Sequence, residues 1–574
     1  MIYPNIWGNG ALFAFSGIEG TNTLKDSMCG QLMSEHIGIA FDSHRVEMYL
    51  RLKEVSDFSF EAVASDVITG KFNQTEPFGF LFLKQNAVLG YCPENLAKPC
   101  CHADLLQKKE MGDTAVFSDG EHVYAFLSQR RQGRIFFALC RTEEEQSACE
   151  EAAKALQADP QEAAMKKLDY FKRVPVDRLT DDEAKTLCKC FSVMKTQIYT
   201  PEGRFRQRWS TPDRLPHKYF WLWDSVFHSF GNVHIDPMLA YETVRSLFAV
   251  QRPDGFIPHM SAPDWSSEVT QPPVIAWGIY KLYEKTGRTD WLSDSYDSLK
   301  RYLEWNFKNR DTNHNYLFEW DVNPDSPNCR CDECGMDNSP RFDAAKPMDC
   351  IDFSCYMAHE LRCMEKIAAL LGKTEDAAHC KQLFGRIRDA VNTVLYDRED
   401  GRYYDRETES KTLKKVSAVS SFLPLFAGIC TKEKAALLVK DLFDPATFGT
   451  RIGIPSISKK DRTFGTDMWR GPVWINFNYM IACGLRDYGY REEAARLTEG
   501  SLSVMTEWYL KEGVLFEFYD SNDAVCPSDL SRKGISLKPR EMGVRMSAIR
   551  DYGWSAALYA AMMLERESEG GVSK

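Results

Sequence analysis

Apolar and polar positions follow two different rhythms along this chain. Within residues 1–150, short β-prone runs such as HIGIAFD, RVEMYLRL, FGFLFL and RIFFALC are interrupted by Gly, Asn and Asp. Farther along, apolar positions recur at helical spacing, and Ile275, Ile279 and Leu282 share one face of a helix predicted over residues 273–286. The pattern predicts a region of strands followed by a longer region of helices.

This change of rhythm predicts the domain organisation. Residues 1–150 are predicted to form an antiparallel β-sandwich, and the charged, Ala-rich residues 151–180 a helical linker. Residues 181–574 contain about a dozen predicted helices, many of them paired, which indicates a helical toroid or solenoid. Long irregular loops separate these helices, and loops that gather at one mouth of a toroid are where a functional site is expected.

Composition narrows the function classes. The chain has 574 residues, 44% of them apolar and 27% charged, with a net charge of −11. An acidic chain without a basic block argues against nucleic acid and anionic membranes as partners. The N-terminus lacks the features of a signal peptide, and no apolar run is long enough to span a bilayer. With 18 cysteines, these features predict a cytoplasmic protein with reduced thiols.

One cysteine cluster, CRCDEC, holds Cys329, Cys331 and Cys334. Three thiolates invite a zinc interpretation, but structural zinc usually takes four ligands. Free thiols are the favoured interpretation, and we expect neither a metal nor a cofactor. No EF-hand calcium loop of the D-x-D-x-D-G kind is present.

Aromatic residues make up 12% of the chain and cluster in FWLWD, MWRGPVW and LFEFYD. Core packing explains most aromatic residues in proteins. The alternative is a pocket for sugar, because a pyranose presents an apolar C–H face to rings and a hydroxyl rim to polar side chains. A small-molecule carbohydrate is therefore the expected partner.

The loop CGMDNSPRF places Asp337 among Gly, Asn, Ser, Arg and Phe, and VLFEFYD places Glu517 between two phenylalanines. Asp337 lies in a surface turn on the simplest interpretation. The sharper hypothesis is glycoside hydrolysis, which uses two carboxyl groups on opposite sides of one bond. An apolar surround favours the protonated form that a general acid needs.

Four segments, WLWDSVFH, GMDNSPRF, MWRGPVWINFNY and YGWSAAL, together resemble glycoside hydrolase family 63 of the trehalase-like clan, and most of all its members active on mannosylglycerate and glucosylglycerate. The resemblance covers roughly residues 200–565. It implies an (α/α)6 toroid and an inverting mechanism, with Asp337 as general acid and Glu517 as general base. It further implies an exo-acting enzyme, and an α-glucosidase on short glucosides is the leading hypothesis.

The resemblance also assigns sugar-binding positions. Asp224 is the rival for the general acid, although the family places it, beside Trp223, in the subsite that grips the non-reducing sugar. The remaining positions expected to bind the substrate or shape its pocket are His259, Gln271, Arg341, Trp469, Arg470, Trp474, Asn476, Tyr519 and Trp554. His228, one helical turn beyond Asp224, is expected to be structural, and Glu333 matches a family glutamate of unassigned role.

Two departures and two alternatives stay open. Extra residues separate PEGRF from the WLWD segment, and MWRGPVW stands where trehalases carry a QWD-type signature, which argues against trehalose as substrate. One alternative is a glycoside phosphorylase of the same architecture, which would need no general base and a basic phosphate pocket. The other is a sugar-binding protein without activity.

Overall fold

The structure is a computed structural model that describes residues 1–43, 45–104, 107–111, 114–326, 329–533 and 547–570. Strands dominate its first part, in agreement with the alternating pattern. The strands are β1 Leu12–Ala14, β2 Cys29–Leu32, β3 Ile37–Phe41, β4 Val46–Leu52, β5 Phe58–Val63, β6 Val67–Phe72, β7 Glu76–Lys84, β8 Ala87–Pro93, β9 Ala97–Ala103, β10 Gln107–Met111, β11 Thr114–Ser118, β12 Val123–Arg131 and β13 Arg134–Thr142.

These strands form two antiparallel sheets. The first has the order β1-β2-β3-β4-β9 and the second the order β10-β11-β12-β13-β8-β7-β6-β5. Their facing sides share a core in which Phe13 and Phe41 of the first sheet pack against Phe82 of the second, with ring centroids 5.0 and 6.2 Å apart. One face of each sheet is thus covered by the other sheet, and the side chains on these two faces form the shared core.

Helices follow from residue 145 onward. They are α1 Glu145–Ala155, α2 Pro160–Leu168, α3 Asp181–Thr196, α4 Leu222–Asn232, α5 Pro237–Ala249, α6 Ile275–Thr286, α7 Thr289–Arg310, α8 Ile351–Leu370, α9 Thr374–Ala390, α10 Leu423–Ala427, α11 Lys432–Leu442, α12 Ile475–Asp487, α13 Arg491–Glu512 and α14 Gly553–Gly570. The helix predicted over residues 273–286 is therefore confirmed as α6. The coarse fold, helical with a sheet-rich N-terminal region, is confirmed as well.

The helix ends carry the expected signals. Asp159 caps α2, whose first residue is Pro160, and Thr180 caps α3 through a capping box with Glu183. Helix α6 ends at Gly287, whose φ of 70° suits a left-handed C-cap. Local chemistry therefore fixes where these helices begin and end.

Six helices contact one another in a closed order: α4 with α6, then α8, α10, α12 and α14, and α14 again with α4. A second set lies against them, α3 and α13 on α14, α5 on α4, α7 on α6 and α9 on α8. The segments that precede five of the first six, α4, α6, α8, α12 and α14, contribute residues to one cavity. This cavity is the candidate site.

Short strands organise the loops between helices. They are β14 Ile198–Tyr199, β15 Trp209–Ser210, β16 Phe220–Trp221, β17 Met260–Ser261, β18 Phe318–Glu319, β19 Met348–Cys350, β20 Tyr396–Asp397, β21 Arg402–Tyr403, β22 Asp405–Glu407 and β23 Leu413–Lys414. The pair β16–β17 sets the loop before α4 beside the loop before α6. No helix in the described part of the chain is long and apolar enough to cross a membrane.

Candidate active site

A cavity of about 350 Å³ is lined by the segments that precede five of the six mutually contacting helices, α4, α6, α8, α12 and α14. Its walls bring together eight of the residues singled out in the sequence, including both candidate catalytic carboxylates. These eight are Trp223, Asp224, His259, Gln271, Asp337, Trp474, Glu517 and Trp554. Residues that are far apart in the chain converge because the segments that carry them lie at one end of the helical region.

The loop that carries Asp337 is pinned from one side by the segment MWRGPVW. The Asn338 side-chain amide donates to Asp467 Oδ2 at 2.8 Å, and its Oδ1 accepts from the Trp469 backbone N–H at 3.1 Å. Arg470 Nε donates to the Asn338 carbonyl at 2.9 Å while its guanidinium pairs with Asp343. The Asn338 amide and the Arg470 guanidinium therefore fix the position of the loop.

A buried ion cluster fixes the other end of this loop. The Arg341 guanidinium is fully buried and donates to both carboxylate oxygens of Asp352 and of Asp405, at 2.5–2.9 Å. Such bidentate pairing is the geometry that guanidinium and carboxylate groups favour. Arg341 therefore lies behind the loop, away from the cavity surface.

Gly335 allows the loop to approach Trp223 closely. Its φ is +70°, and a Cβ at this position would lie 2.4 Å from Cζ2 of Trp223. The left-handed conformation and the close ring both exclude a side chain here. The glycine thus sets how closely the Asp337 loop packs on the start of α4.

Asp337 meets a cation. Lys533 Nζ lies 2.8 Å from Asp337 Oδ2, and Arg532 is nearby. Burial by itself would raise the pKa of Asp337, but the lysine, its hydrogen bond and the second cation together lower it below the ordinary value. The carboxylate is therefore held as an anion in this arrangement.

Glu517 is buried and faces a different cation. Arg532 Nε donates to Glu517 Oε2 at 3.0 Å, and the Ile549 N–H reaches the same oxygen at 3.3 Å. The backbone of Glu517 is itself fixed, because its N–H donates to the Ile549 carbonyl at 2.9 Å. One guanidinium nitrogen, Arg532 Nη1, is buried without a partner among the described residues, so a donor remains free beside this carboxylate.

Asp224 lies in the first turn of α4 and has no cation beside it among the described residues. Burial raises its pKa well above the ordinary value, and the negative charges of Asp213 and Glu517 add to this effect. A hydrogen bond from the Tyr552 hydroxyl, 3.4 Å from Oδ1, opposes the shift only in part. The cavity therefore contains two aspartates whose pKa values are moved in opposite directions.

An aromatic wall surrounds Asp224. The ring of Trp554 meets Trp223 edge-on at 5.1 Å and Trp474 at 5.6 Å between centroids. Behind it, Trp469 stacks flat on Trp474 at 3.9 Å, with 2° between the planes. Apolar ring faces next to a carboxyl group form the kind of surface that suits a pyranose.

Gln271 and His259 complete the polar rim. Gln271 Oε1 accepts from the Trp223 N–H at 3.1 Å, which fixes the amide just before α6. His259 Nδ1 lies 2.6 Å from Ser267 Oγ, and burial lowers the pKa of His259 to about 4. The imidazole is neutral at pH 7, so it can act there only through hydrogen bonds.

Five residues that were expected at the sugar lie instead behind the cavity surface. They are Arg341, Trp469, Arg470, Asn476 and Tyr519. Trp469 backs Trp474, and the Tyr519 hydroxyl accepts from the Phe516 N–H at 3.1 Å. Their role in binding the substrate stays a prediction, since sequence motifs do not distinguish a residue that lines a cavity from one that supports its wall.

Other residues that line the cavity were not predicted to bind the substrate. They are Pro216, His217, Tyr219, Trp221, Met260, Ser326, Cys329, Asp332, Gly335, Met468, Arg532, Lys533 and Tyr552. Tyr552 stands inside the segment YGWSAAL and could have been found there. Arg532 and Lys533 follow no motif, and only the fold brings them to Asp337 and Glu517. His228 is buried against Ser210, as expected of a structural histidine.

The cysteine cluster divides between the cavity and the core. Cys331 and Cys334 are buried, and Cys334 Sγ contacts the Cys331 carbonyl at 3.1 Å. Cys329 lies beside Asp332 and Asp337, but Lys533 Nζ is 3.3 Å from its sulfur and supplies the positive charge there. Glu333 is buried and pairs with Arg310, so it ties this segment to α7. All eighteen cysteines are free thiols.

Comparison with known proteins places the chain in a class. Residues 217–555 match the family model described as the mannosylglycerate hydrolase MGH1-like glycoside hydrolase domain. A mannosylglycerate hydrolase of Thermus thermophilus is 28% identical over 55% of this chain and 92% of its own length. A probable mannosyl-oligosaccharide glucosidase of Schizosaccharomyces pombe is 26% identical over 33% of this chain and 26% of its own length.

Solved structures agree. A family 63 mannosylglycerate hydrolase from Thermus thermophilus, in complex with glucose, covers 65% of this chain and 99% of its own, with a TM-score of 0.54 and 26% identity. A bacterial glucoamylase complexed with acarbose covers 99% of this chain and 95% of its own, with a TM-score of 0.58; at 10% identity it shows the fold alone.

These matches and the carboxylate-lined cavity define the protein class as a glycoside hydrolase. More narrowly, the chain belongs to the mannosylglycerate hydrolase-like glycosidases of glycoside hydrolase family 63.

Proposed function

We propose that the protein is an inverting, exo-acting α-glycosidase, most specifically an α-glucosidase on short glucosides, with Asp337 as general acid and Glu517 as general base. The observation that carries the proposal is that these two carboxylates, from segments 180 positions apart in the chain, line one cavity. In an inverting enzyme one carboxyl protonates the leaving oxygen while the other activates a water on the opposite face of the sugar.

We propose in addition that the helices form an (α/α)6 toroid. The closed order of contacts α4-α6-α8-α10-α12-α14 supports six inner helices. Asp224 opens α4, Trp474 directly precedes α12, and Trp554 lies in the first turn of α14, so the ring supplies the cavity from the starts of its own helices. Rigid helix starts are better suited than mobile loops to hold a substrate in reactive geometry.

In this proposal the non-reducing sugar lies against Trp223, Trp474 and Trp554. Asp224 and Gln271 accept or donate hydrogen bonds to its hydroxyls, since both polar groups reach the same cavity. At about 350 Å³ the cavity is near the lower end of the range for ligand sites. This size favours the terminal sugar of a short glycoside.

Glu517 is the proposed general base that activates the attacking water. Arg532 and the Ile549 N–H both donate to its carboxylate and hold it in place. A general base needs such a fixed orientation, because it must lie within hydrogen-bond reach of the proton that it accepts. The unpartnered Arg532 Nη1 is the donor best placed, among the described residues, to orient the attacking water. Glu517 would take the water's proton as the oxygen attacks C1.

The proton donor poses a physical problem, because Lys533 holds Asp337 as an anion. A leaving oxygen that enters beside Asp337 competes with the ammonium group for the carboxylate. Once Lys533 is displaced, the largest influence that lowers the pKa of Asp337 is gone, and the burial that favours the neutral form is opposed mainly by Arg532. Asp337 would then take up a proton from solvent and give that proton to the leaving oxygen.

The sugar is proposed from the relatives. A family 63 relative has been solved with glucose, and other relatives are named as mannosylglycerate hydrolases and as glucosidases of mannosyl-oligosaccharides. An α-linked glucoside is the choice that fits the glucose complex and the glucosidases together. α-Mannosides are the nearest competing substrates.

The test is proton NMR of the anomeric signal during hydrolysis of α-glucosides and α-mannosides by the wild type, Asp337→Asn and Glu517→Gln. We expect the β-anomer of the released sugar to appear first and both variants to be nearly inactive. An α-anomer formed first would contradict inversion. Full activity in either variant would remove its residue from the proposed role.

A phosphorylase is the second candidate, because Arg532 and Lys533 are basic groups on the cavity wall. Both, however, are paired with carboxylates, and the wall carries two further carboxyl groups, those of Asp224 and Asp332. A phosphate dianion would have to break these pairs. Turnover that requires added phosphate, with release of a sugar phosphate, would favour this candidate over hydrolysis.

A further inference from the structure

The catalytic cavity adjoins a larger groove, and we propose that this groove binds the reducing-end sugars of an oligosaccharide, with Trp265 as their stacking platform. The proposal rests on the proposed glycosidase function and deepens it, because it assigns the substrate a length. It concerns sugars on the leaving-group side of the cleaved bond. Trp265 would determine specificity and would not take part in the chemistry.

The groove has a volume of about 910 Å³ and lies between the two parts of the fold. Its sheet side includes Arg45, Gln85 and Tyr124, and its helical side includes Tyr219 and Trp265. Tyr219 lines both this groove and the catalytic cavity. A chain that leaves the cavity past Tyr219 therefore enters the groove directly.

Trp265 is exposed but rigidly held. It is 37% exposed, at the end of a turn in which the Ala262 N–H donates to its carbonyl at 2.9 Å. Ser261 and Ser266 hydroxyls lie 3.0 Å apart across this turn, and Arg204 donates to Ser266 at 2.8 Å. A large ring fixed at the surface loses little conformational entropy when a ligand packs on it.

The turn is also continuous with the active site. It follows β17, whose residue Met260 lines the catalytic cavity. The Trp265 indole packs edge-on against Tyr219, with centroids 4.9 Å apart and planes at 74°. Two rings thus form a ledge that begins at the cavity and ends in the groove.

Two groups of aromatic rings indicate the direction in which a substrate would extend from the cavity to the groove. Trp554 packs on both Trp223 and Trp474, and all three rings line the cavity together with Asp224. Trp221 packs instead on His259, at 5.2 Å, and stands two residues from Tyr219 on the way to the groove. If the first group holds the sugar that is released, the second receives the next sugar along the substrate.

The groove suits a neutral, hydroxylated ligand. Arg141 pairs with Asp42 at 2.8 Å, and the Tyr124 hydroxyl donates to the same carboxylate at 2.8 Å. Arg45 pairs with Asp119 at 2.7 Å. Because Arg45 and Arg141 are already matched, and acidic side chains such as Glu121, Glu144 and Asp264 also line the groove, an anionic ligand would gain little. Hydroxyl groups find donors and acceptors along the same wall.

The sheet wall lies outside the part of the chain that defines the family. The family model begins at residue 217, and the sheet residues of the groove precede it. Most of the groove is therefore supplied by a region that the match to the family model does not include. Substrate length is the property that such an addition can change while the catalytic residues stay the same.

The experiment measures kcat/KM along ladders of α-gluco- and α-manno-oligosaccharides of two, three and four sugars, for the wild type, Trp265→Ala and Trp265→Phe. We expect Trp265→Ala to lower kcat/KM for the longer substrates roughly tenfold more than for the disaccharide. Trp265→Phe, which keeps a ring, should restore most of the difference. Phe58→Ala, which removes an exposed aromatic side chain from β5 outside the groove, is the matched control.

The outcomes separate the two claims. Hydrolysis of disaccharides with the same length dependence in the wild type and Trp265→Ala would overturn the platform and leave the glycosidase function intact. A length effect equally strong in Phe58→Ala would also overturn it. No hydrolysis of any ladder by the wild type would contradict the glycosidase function, and the platform would fall with it.

Discussion

Two aspartates that line the same cavity lie under opposite conditions. Asp224 lies among tryptophans without a cation from the described residues, and burial raises its pKa well above the ordinary value. Asp337 is also desolvated, but Lys533 at 2.8 Å turns the shift around and lowers its pKa. Burial alone therefore does not decide which carboxyl carries a proton; the nearest charge does.

The residue proposed as general acid, Asp337, is therefore held in its ionised form, although a general acid must carry a proton. On pKa alone Asp224 is the better proton donor of the two. On position in the family motif Asp337 is the donor, and Lys533 becomes part of its control. The two assignments make different predictions, and variants at these positions and around them distinguish the two.

The largest effect separates the acid from the base. Glu517→Gln and Asp337→Asn should each lower kcat on an unactivated α-glycoside by about a thousandfold or more. With a glycosyl fluoride, whose leaving group needs no proton, Asp337→Asn should recover much of its activity and Glu517→Gln should not. Recovery in Asp224→Asn instead of Asp337→Asn would transfer the acid role to Asp224.

Arg341→Met tests whether the Asp337 loop depends on the buried ion cluster. The change leaves Asp352 and Asp405 buried without the guanidinium, which should destabilise the protein by about 3–5 kcal/mol. A displaced loop should also lower kcat about a hundredfold. Denaturant unfolding and steady-state kinetics measure the two effects. A normal kcat in a destabilised variant would show that the cluster supports the fold but does not aim Asp337.

Asp224→Asn should raise the stability of the protein at pH 7 and lower its activity. The folded protein holds the Asp224 proton more tightly than the unfolded chain does, so the ionisable side chain destabilises as pH rises above the unfolded pKa of about 3.9. The variant should therefore gain about 1–3 kcal/mol at pH 7 and little at a pH near 3.5. Its kcat/KM should fall at least tenfold, because a sugar hydroxyl loses a partner.

Thermal unfolding at the two pH values measures the stability part of this prediction. Asp26→Asn, at an exposed position, is the matched control and should show no pH-dependent gain. A variant at position 224 that is equally destabilised at both pH values would contradict the raised pKa.

Lys533→Met should produce the smallest effect, a shift of the pH profile. Without the ammonium group, the pKa of Asp337 should rise, because the main influence that lowers it has been removed. The alkaline limb of kcat/KM, which reports the free enzyme, should move upward by about one pH unit. Lys533→Arg, which keeps the charge, should leave the limb in place. No shift in Lys533→Met would separate the lysine from the proton of the acid.

Much of the fold was predictable because it rests on local pattern. Strand alternation before residue 150 and helical spacing after it are properties of short windows, and the bounds of α6 followed from them. The motifs likewise brought eight residues to the cavity. Arg341, Trp469 and Tyr519 were expected at the substrate but do not line the cavity. A sequence motif contains both the residues that face a ligand and the residues that pack behind them.

Secondary structure, family and the segments that carry the chemistry were readable in advance, because each is a pattern of contiguous residues. The fold, in contrast, selects the residues that face the cavity, brings Lys533 to Asp337 and adds a groove beside Tyr219. Charge pairing and packing join residues hundreds of positions apart. A local sequence pattern does not show which distant residues come into contact. The protonation states of Asp224 and Asp337 depend on such contacts.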